Sequence, residues 1–248
     1  MQVVLSEIDY RQEEFSKLPF FKHLENSTRL QDAEIFAPGL SFFVLTFQDI
    51  LRLNEAKIST PALRPIVHQH RQEDLGHDVW FLHDLHQLGV TCDAELLFGK
   101  EYQVTRDTSF AIISEIFQAS DDRVRLAIPL ALEAMGHPFF SRVHQFFKRS
   151  NFRGQLKYFS KEHFQLEQSH EMFEDEMDVE LRSIELPDHI RAEALGVVDR
   201  TFDAVTHMLN TLHHRIEQNS QGQSPLEYGR EYSRAMPKGR NSRELQRL

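Results

Sequence analysis

The chain has a single cysteine, Cys92, among 248 residues. That excludes a disulfide within the chain and any zinc site built from cysteines, and it fits a reducing cytoplasm. Glycine and proline are scarce, at 10 and 9. So few turn-formers argue against an all-β fold with many tight turns. Positive charge is also short. Lys and Arg number 28 against 38 acids, a net charge of −10. No basic cluster rises above that background in the body of the chain, which argues against nucleic-acid binding through phosphates and against a polybasic membrane-binding face. The most apolar run, Phe36 to Phe47, is too short to span a membrane and contains Pro and Gly. The opening MQVVLSEIDYRQEE lacks a basic segment followed by an apolar one, so no secretory signal is expected. These absences point to a soluble cytoplasmic protein with neither nucleic acid nor membrane as a partner.

What the chain has instead is helical periodicity, 20 phenylalanines and 14 histidines. Ser6 is expected to cap a helix running to about Lys17, and Phe20 and Phe21 to dock on the body. A second helical region starts near Thr28 and breaks at Ala37-Pro38-Gly39. Leu40 to Leu53 is apolar on most faces, as a buried helix would be. A helix from Ser59 is expected to be reset at Pro65, to run on to Leu88 and to stop at Gly89. Asp93 to Phe98 reads as a short helical turn, and Ser109 to Gln118 as an amphipathic helix. Asp121 and Asp122 open the next helix, where acids suit the dipole, and Pro138 is placed to kink it. Further helices are expected from Leu156 to Leu181 and from Asp188 to Gln218. Nothing reads as a strand. The expectation is a single all-α domain of seven or eight helices over residues 1–220. The halves 28–89 and 121–181 look related, and a polar, basic, flexible tail follows at 221–248.

Two stretches carry chemistry. In the first, His163, Glu167 and His170 stand at i, i+4 and i+7. On an α-helix each residue advances about 100°, so these positions fall within about 60° of one another. In the second, His70, Asp74 and His77 repeat the spacing. At the chain's own His and acid frequencies about 0.1 such patterns is expected by chance. Two imidazoles and a carboxylate per column suit divalent Fe, Mn or Zn, and two columns facing across a bundle core would hold two ions. The bland alternative is a pair of solvated polar faces. Glu133 stands in an apolar stretch, Ile128 to Met135, where an unpaired carboxylate would cost several kcal/mol. It is expected to bridge the two ions, unless it is a core Glu bonded to an Arg or a His. Glu73 is an alternative to Asp74, and His137 a weaker candidate beside Pro138. Trp80, Phe81, Phe139 and Phe140 are candidate walls of a water-poor substrate pocket.

These residues resemble the haem-oxygenase-like diiron oxidases and oxygenases, which share their fold with the TenA-like proteins. The resemblance covers roughly Leu40 to Leu212. It rests on the His-x3-acid-x2-His helix, the lone Glu in an earlier helix, and the acid/His pair before DLHQLG. In that family the first ligand helix offers an acid and a His, the second a Glu, and the third His, Asp and His. Carried over, these fall on Asp74 and His77, on Glu133, and on His163, Glu167 and His170. Glu167 stands where Asp is usual, and His70 where some members have a Glu ligand. The resemblance implies a haem-oxygenase-like helical bundle and an O2-activating centre of two Fe(II) ions, with Mn as an alternative. It implies a small organic substrate of fatty acid, amino acid or amine type, an external reductant and a homodimer. Two other readings stand beside it: a metal- or ligand-binding protein without turnover, and a TenA-type hydrolase. The last needs a core nucleophilic cysteine, whereas Cys92 is expected in a loop.

Overall fold

The apolar stripes close into helices wherever burial and capping agree. The computed structural model describes residues 1–167 and 181–221, of which Glu167 is described in its backbone only. In chain order the helices are α1 (Gln2–Ser16), α2 (Pro19–Asn26), α3 (Leu30–Gly39), α4 (Ser41–Lys57), α5 (Arg64–Glu73) and α6 (His77–Gln87). They continue with α7 (Ala94–Phe98), α8 (Gln103–Gln118), α9 (Asp122–Arg149), α10 (Lys161–Glu167) and α11 (Asp188–Ser220). A 3-10 turn, Lys100–Tyr102, precedes α8. Among the described residues there is no strand. The protein is an all-α bundle.

The two longest helices form its centre. α11 repeats Ile190, Ala194, Val197, Val198, Phe202, Val205, Leu209 and Leu212 at helical spacing, and all are buried. It packs along α9 and is flanked by α1, α8, α3 and α2. α9 starts where the Asp121 side chain accepts the Arg123 N–H and ends on Lys148 and Arg149, signs that suit the dipole at each end. On the other side α4 lies against α8, α5 and α6, and α10 lies on α9. Phenylalanine fills the centre. Phe36 of α3 meets the rings of Phe20, Phe146 and Phe159 edge-on, at 5.6, 5.9 and 6.2 Å.

Four boundaries differ from expectation, each for a physical reason. α1 begins at Gln2, not Ser6, because Val4 and Leu5 already belong to its buried stripe. α8 begins at Gln103 rather than Ser109. Its first turns bury polar residues that bond neighbouring carbonyls, as Thr105 Oγ1 does to Gly39 O at 2.5 Å, and this hides the apolar period. α10 starts at Lys161, not Leu156, because Ser160 caps it by accepting the His163 N–H at 3.0 Å. The expected helix to Leu88 is two helices, α5 and α6, separated at residues 74–76. The tail from residue 222 lies outside the described residues.

Among the described residues no single helix is long and apolar enough to cross a membrane. The pair α3 and α4 passes such a test only when taken together across a 42° bend. Phe36, Ala37, Val44, Ile50 and Leu51 of that pair are buried in the core.

Candidate metal centre

The break between α5 and α6 builds the first half of the site. α5 ends at Glu73, and Asp74 is its C-cap residue. Gly76 then takes φ +90°, a left-handed conformation that glycine adopts without strain. His77 follows as the first residue of α6. Gln48 of α4 braces the turn by donating to Asp74 O at 2.6 Å. His70, Asp74 and His77 therefore do not share one helical column. The turn folds them inward so that Asp74 stands between the two imidazoles, with Oδ2 3.0 Å from His70 Nε2 and Oδ1 3.0 Å from His77 Nδ1.

α9 supplies the next donor. Glu133 Oε2 lies 3.1 Å from His70 Nε2. His70, Asp74 and Glu133 each offer one ligand atom within 4.8 Å of the others. His70 is fully buried, and Asp74 and Glu133 are only 6% and 9% exposed. Although two carboxylate oxygens flank His70 Nε2, neither lies along the direction of a ring N–H, and Nδ1 has no hydrogen-bond partner among the described residues. Donors that surround a common point without bonding one another well are arranged as an ion's ligands would be. Burial alone would push the His70 imidazolium down, but the negative charge of the Asp74 and Glu133 carboxylates beside its Nε2 outweighs it and holds it up at about 10. Burial likewise favours the neutral form of Asp74, yet its contacts with His70 and His77 keep it well below the usual carboxylate range.

The second half comes from α10. His163 is 2% exposed, and its ring stands 4.3 Å from that of His77, centroid to centroid. Its Nδ1 lies 2.6 Å from the carbonyl of Tyr158. A carbonyl only accepts, so Nδ1 carries the proton and Nε2 the lone pair. His77 is set the same way, its Nδ1 donating to the Asp74 carboxylate. This is how metal-binding histidines are usually held: one ring N–H is fixed by a carbonyl or carboxylate and the other nitrogen is aimed at the ion.

The residue that holds this arrangement was not anticipated. Asp84 of α6 is fully buried and accepts the Lys157 and Phe159 N–H groups at 2.7 and 2.8 Å. Burial pushes its carboxyl up, against the pull of those two bonds. Asp84 thereby pins the turn whose middle carbonyl orients His163. Its sequence signal is spacing: Asp84 lies seven residues after His77, on the same helix face, next to apolar Phe81 and Leu85.

An apolar cavity of about 820 Å³, its open mouth included, adjoins the centre. Phe139 and Phe140 line it, as do Asp74, His77, Glu133 and Tyr158. Trp80 and Phe81 are not among its walls. Trp80 packs on the rings of His77 and His163 at 5.1 and 5.4 Å, and Phe81 is buried against Tyr158 and Phe159. Of the other candidates, His137 is exposed and rests on Phe164, while Glu73 accepts from Gln69. The structure thus brings together His70, Asp74, His77, Glu133 and His163. The side chain of Glu167, and His170 entirely, lie outside the described residues. Cys92 is half-buried in the segment after Gly89, and its thiol is pushed up by burial and by Asp93, which makes it a poor nucleophile. No family model matches the chain, and no curated protein matches it.

Proposed function

We propose that this protein is a non-haem diiron oxidase or oxygenase of the haem-oxygenase-like kind, using O2 on a small organic substrate. The observation that carries the reading is the pair His77 and His163. Each commits Nδ1–H to an oxygen and carries its Nε2 lone pair, with the rings in contact beside the His70, Asp74 and Glu133 cluster. Three imidazoles and two carboxylates are a mixed nitrogen and oxygen set that suits iron or manganese. Asp74 divides its two oxygens between the His70 side and the His77 side, so it joins Glu133 as a candidate bridge. Bound ferrous iron would supply the electrons and the open coordination positions that O2 activation needs. The chain's own residues do the rest. Asp74 and Glu133 offset the positive charge, Tyr158 O and Asp84 hold His163 in one tautomer, and Phe139 and Phe140 keep water from the cavity beside the ligands.

Anaerobic loading with Fe(II), followed by iron analysis and O2 uptake, tests this. The parent should hold two irons per chain and consume O2 when reduced. Glu133→Ala and His163→Ala should each lose at least one iron while helix content stays unchanged. His137→Ala, exposed and one turn along α9 from Glu133, should behave as the parent. Iron retained by the first two variants as tightly as by the parent would overturn the assignment.

A further inference from the structure

The cavity beside the centre carries one charge that the ligand set does not use. Its deep end is apolar, built from buried Leu132 of α9 and Val205, Met208 and Leu209 of α11. Its half-exposed rim is formed by Phe43, Phe47 and Gln48 of α4, Gly136 of α9 and Asp78 of α6. Three acids line the cavity, and among the described residues no Lys or Arg does. Asp74 and Glu133 are engaged by His70 and His77. Asp78 has no ion-pair partner among the described residues, and it sits in the first turn of α6, where the helix dipole favours a carboxylate.

From this juxtaposition we infer that the cavity selects an apolar molecule ending in an ammonium group, with its alkyl part against α9 and α11 and its nitrogen on Asp78. The inference rests on reading the cavity as the centre's substrate pocket. Among the described residues, a carboxylate at the rim would meet Asp78 and no cation. A neutral alcohol would replace the displaced water with one ordinary O–H hydrogen bond and bring no charge to offset the carboxylate. An ammonium replaces that water with a charge-assisted hydrogen bond. Asp78 is then a specificity-determining residue, not a ligand of the metal.

The probes are n-octylamine, 1-octanol and octanoate, titrated by calorimetry into the metal-free full-length chain at fixed ionic strength. Octylamine should bind roughly tenfold more tightly than octanol, as one charge-assisted bond at a partly wet rim would give. Asp78→Asn should erase that margin and leave octanol affinity unchanged. Asp78→Lys should turn the preference toward octanoate. Leu209→Trp, which fills the deep end, should weaken amine and alcohol alike. Should Asp78→Asn melt early, Asp78→Ser gives the same comparison without the amide. An amine that binds no better than octanol, or a margin that survives both neutral variants, overturns the inference. Iron content measured on the same proteins separates the two proposals. Loss of iron binding with the margin intact defeats only the diiron reading, and loss of the margin with two irons held defeats only this one.

Discussion

At the scale of single residues, buried acids decide much of this protein, and they do so in different ways. Asp122 is structural. From the first turn of α9 it accepts the N–H and hydroxyl groups of both Ser59 and Thr60 and pairs with Arg125. Burial alone would raise its carboxyl, but the Thr60 and Ser59 bonds overcome it and hold the group at about 2, against an ordinary 3.8. A depressed carboxyl stabilises the fold above its unfolded value and loses that contribution as pH falls through its folded value. The window here is therefore from about pH 4 down to about pH 2, and the amount about 2 kcal/mol. Asp122→Asn should lose that much at pH 7, a fall in melting temperature of roughly 4–8 °C, and should show a shallower acid limb than the parent. Melting curves from pH 2 to 7 check both statements, and superimposable curves would refute them. Glu133 could be singled out in the sequence because an acid amid Ile128–Met135 is conspicuous. Asp84 offers only its spacing from His77 as a signal, because its partners are backbone groups more than 70 residues away.

At the scale of elements, the site depends on a break that periodicity conceals. His70, Asp74 and His77 fit a continuous helix by spacing, and a glycine inside a helical pattern is tolerated at modest cost. The residues are those of the candidate site, but their geometry is not that of a column. Gly76 at φ +90° turns the chain so that one carboxylate serves two imidazoles. The starts of α1 and α8 are obscured for a related reason: tertiary partners of Val4 and Thr105 set them, not local propensity. The turn is testable. A Cβ at Gly76 would meet nothing within 4 Å, so crowding is not the issue and backbone strain is. Gly76→Ala should cost about 1–2 kcal/mol. Because Asp74 and His77 flank the turn, iron affinity should fall further than that of a variant equally destabilised elsewhere. Calorimetric unfolding and Fe(II) titration measure the two effects. An alanine variant with the parent's stability and affinity would show that the turn does not need glycine.

At the scale of the whole molecule, the core and the centre share one chain of contacts. The Phe36 ring meets Phe159 at 6.2 Å, and Phe159 meets Tyr158 at 5.2 Å. The Tyr158 carbonyl sets the His163 tautomer. Phe36 also ties α3 to α2 and α9 through Phe20 and Phe146. Removing its ring should open a cavity costing about 3–5 kcal/mol, which for a chain of this length lowers the melting temperature by roughly 10 °C. A second effect separates this position from an ordinary core residue. With Phe36→Ala, one of the rings packed on Phe159 is lost while Phe81 and Phe147 remain, the Lys157–Phe159 turn loosens in part, and His163 is held less firmly. Iron affinity measured well below the melting range should therefore decline. Phe202 provides the comparison: it is equally buried, it packs on Phe15 at 6.0 Å, and it has no ring contact with Phe159. Phe202→Ala should cost similar stability and leave iron affinity near the parent's. Equal weakening by both variants would mean that the centre senses only global softening. No weakening by Phe36→Ala would mean that Asp84, with Phe81 and Phe147 still packed on Phe159, suffices to hold the turn.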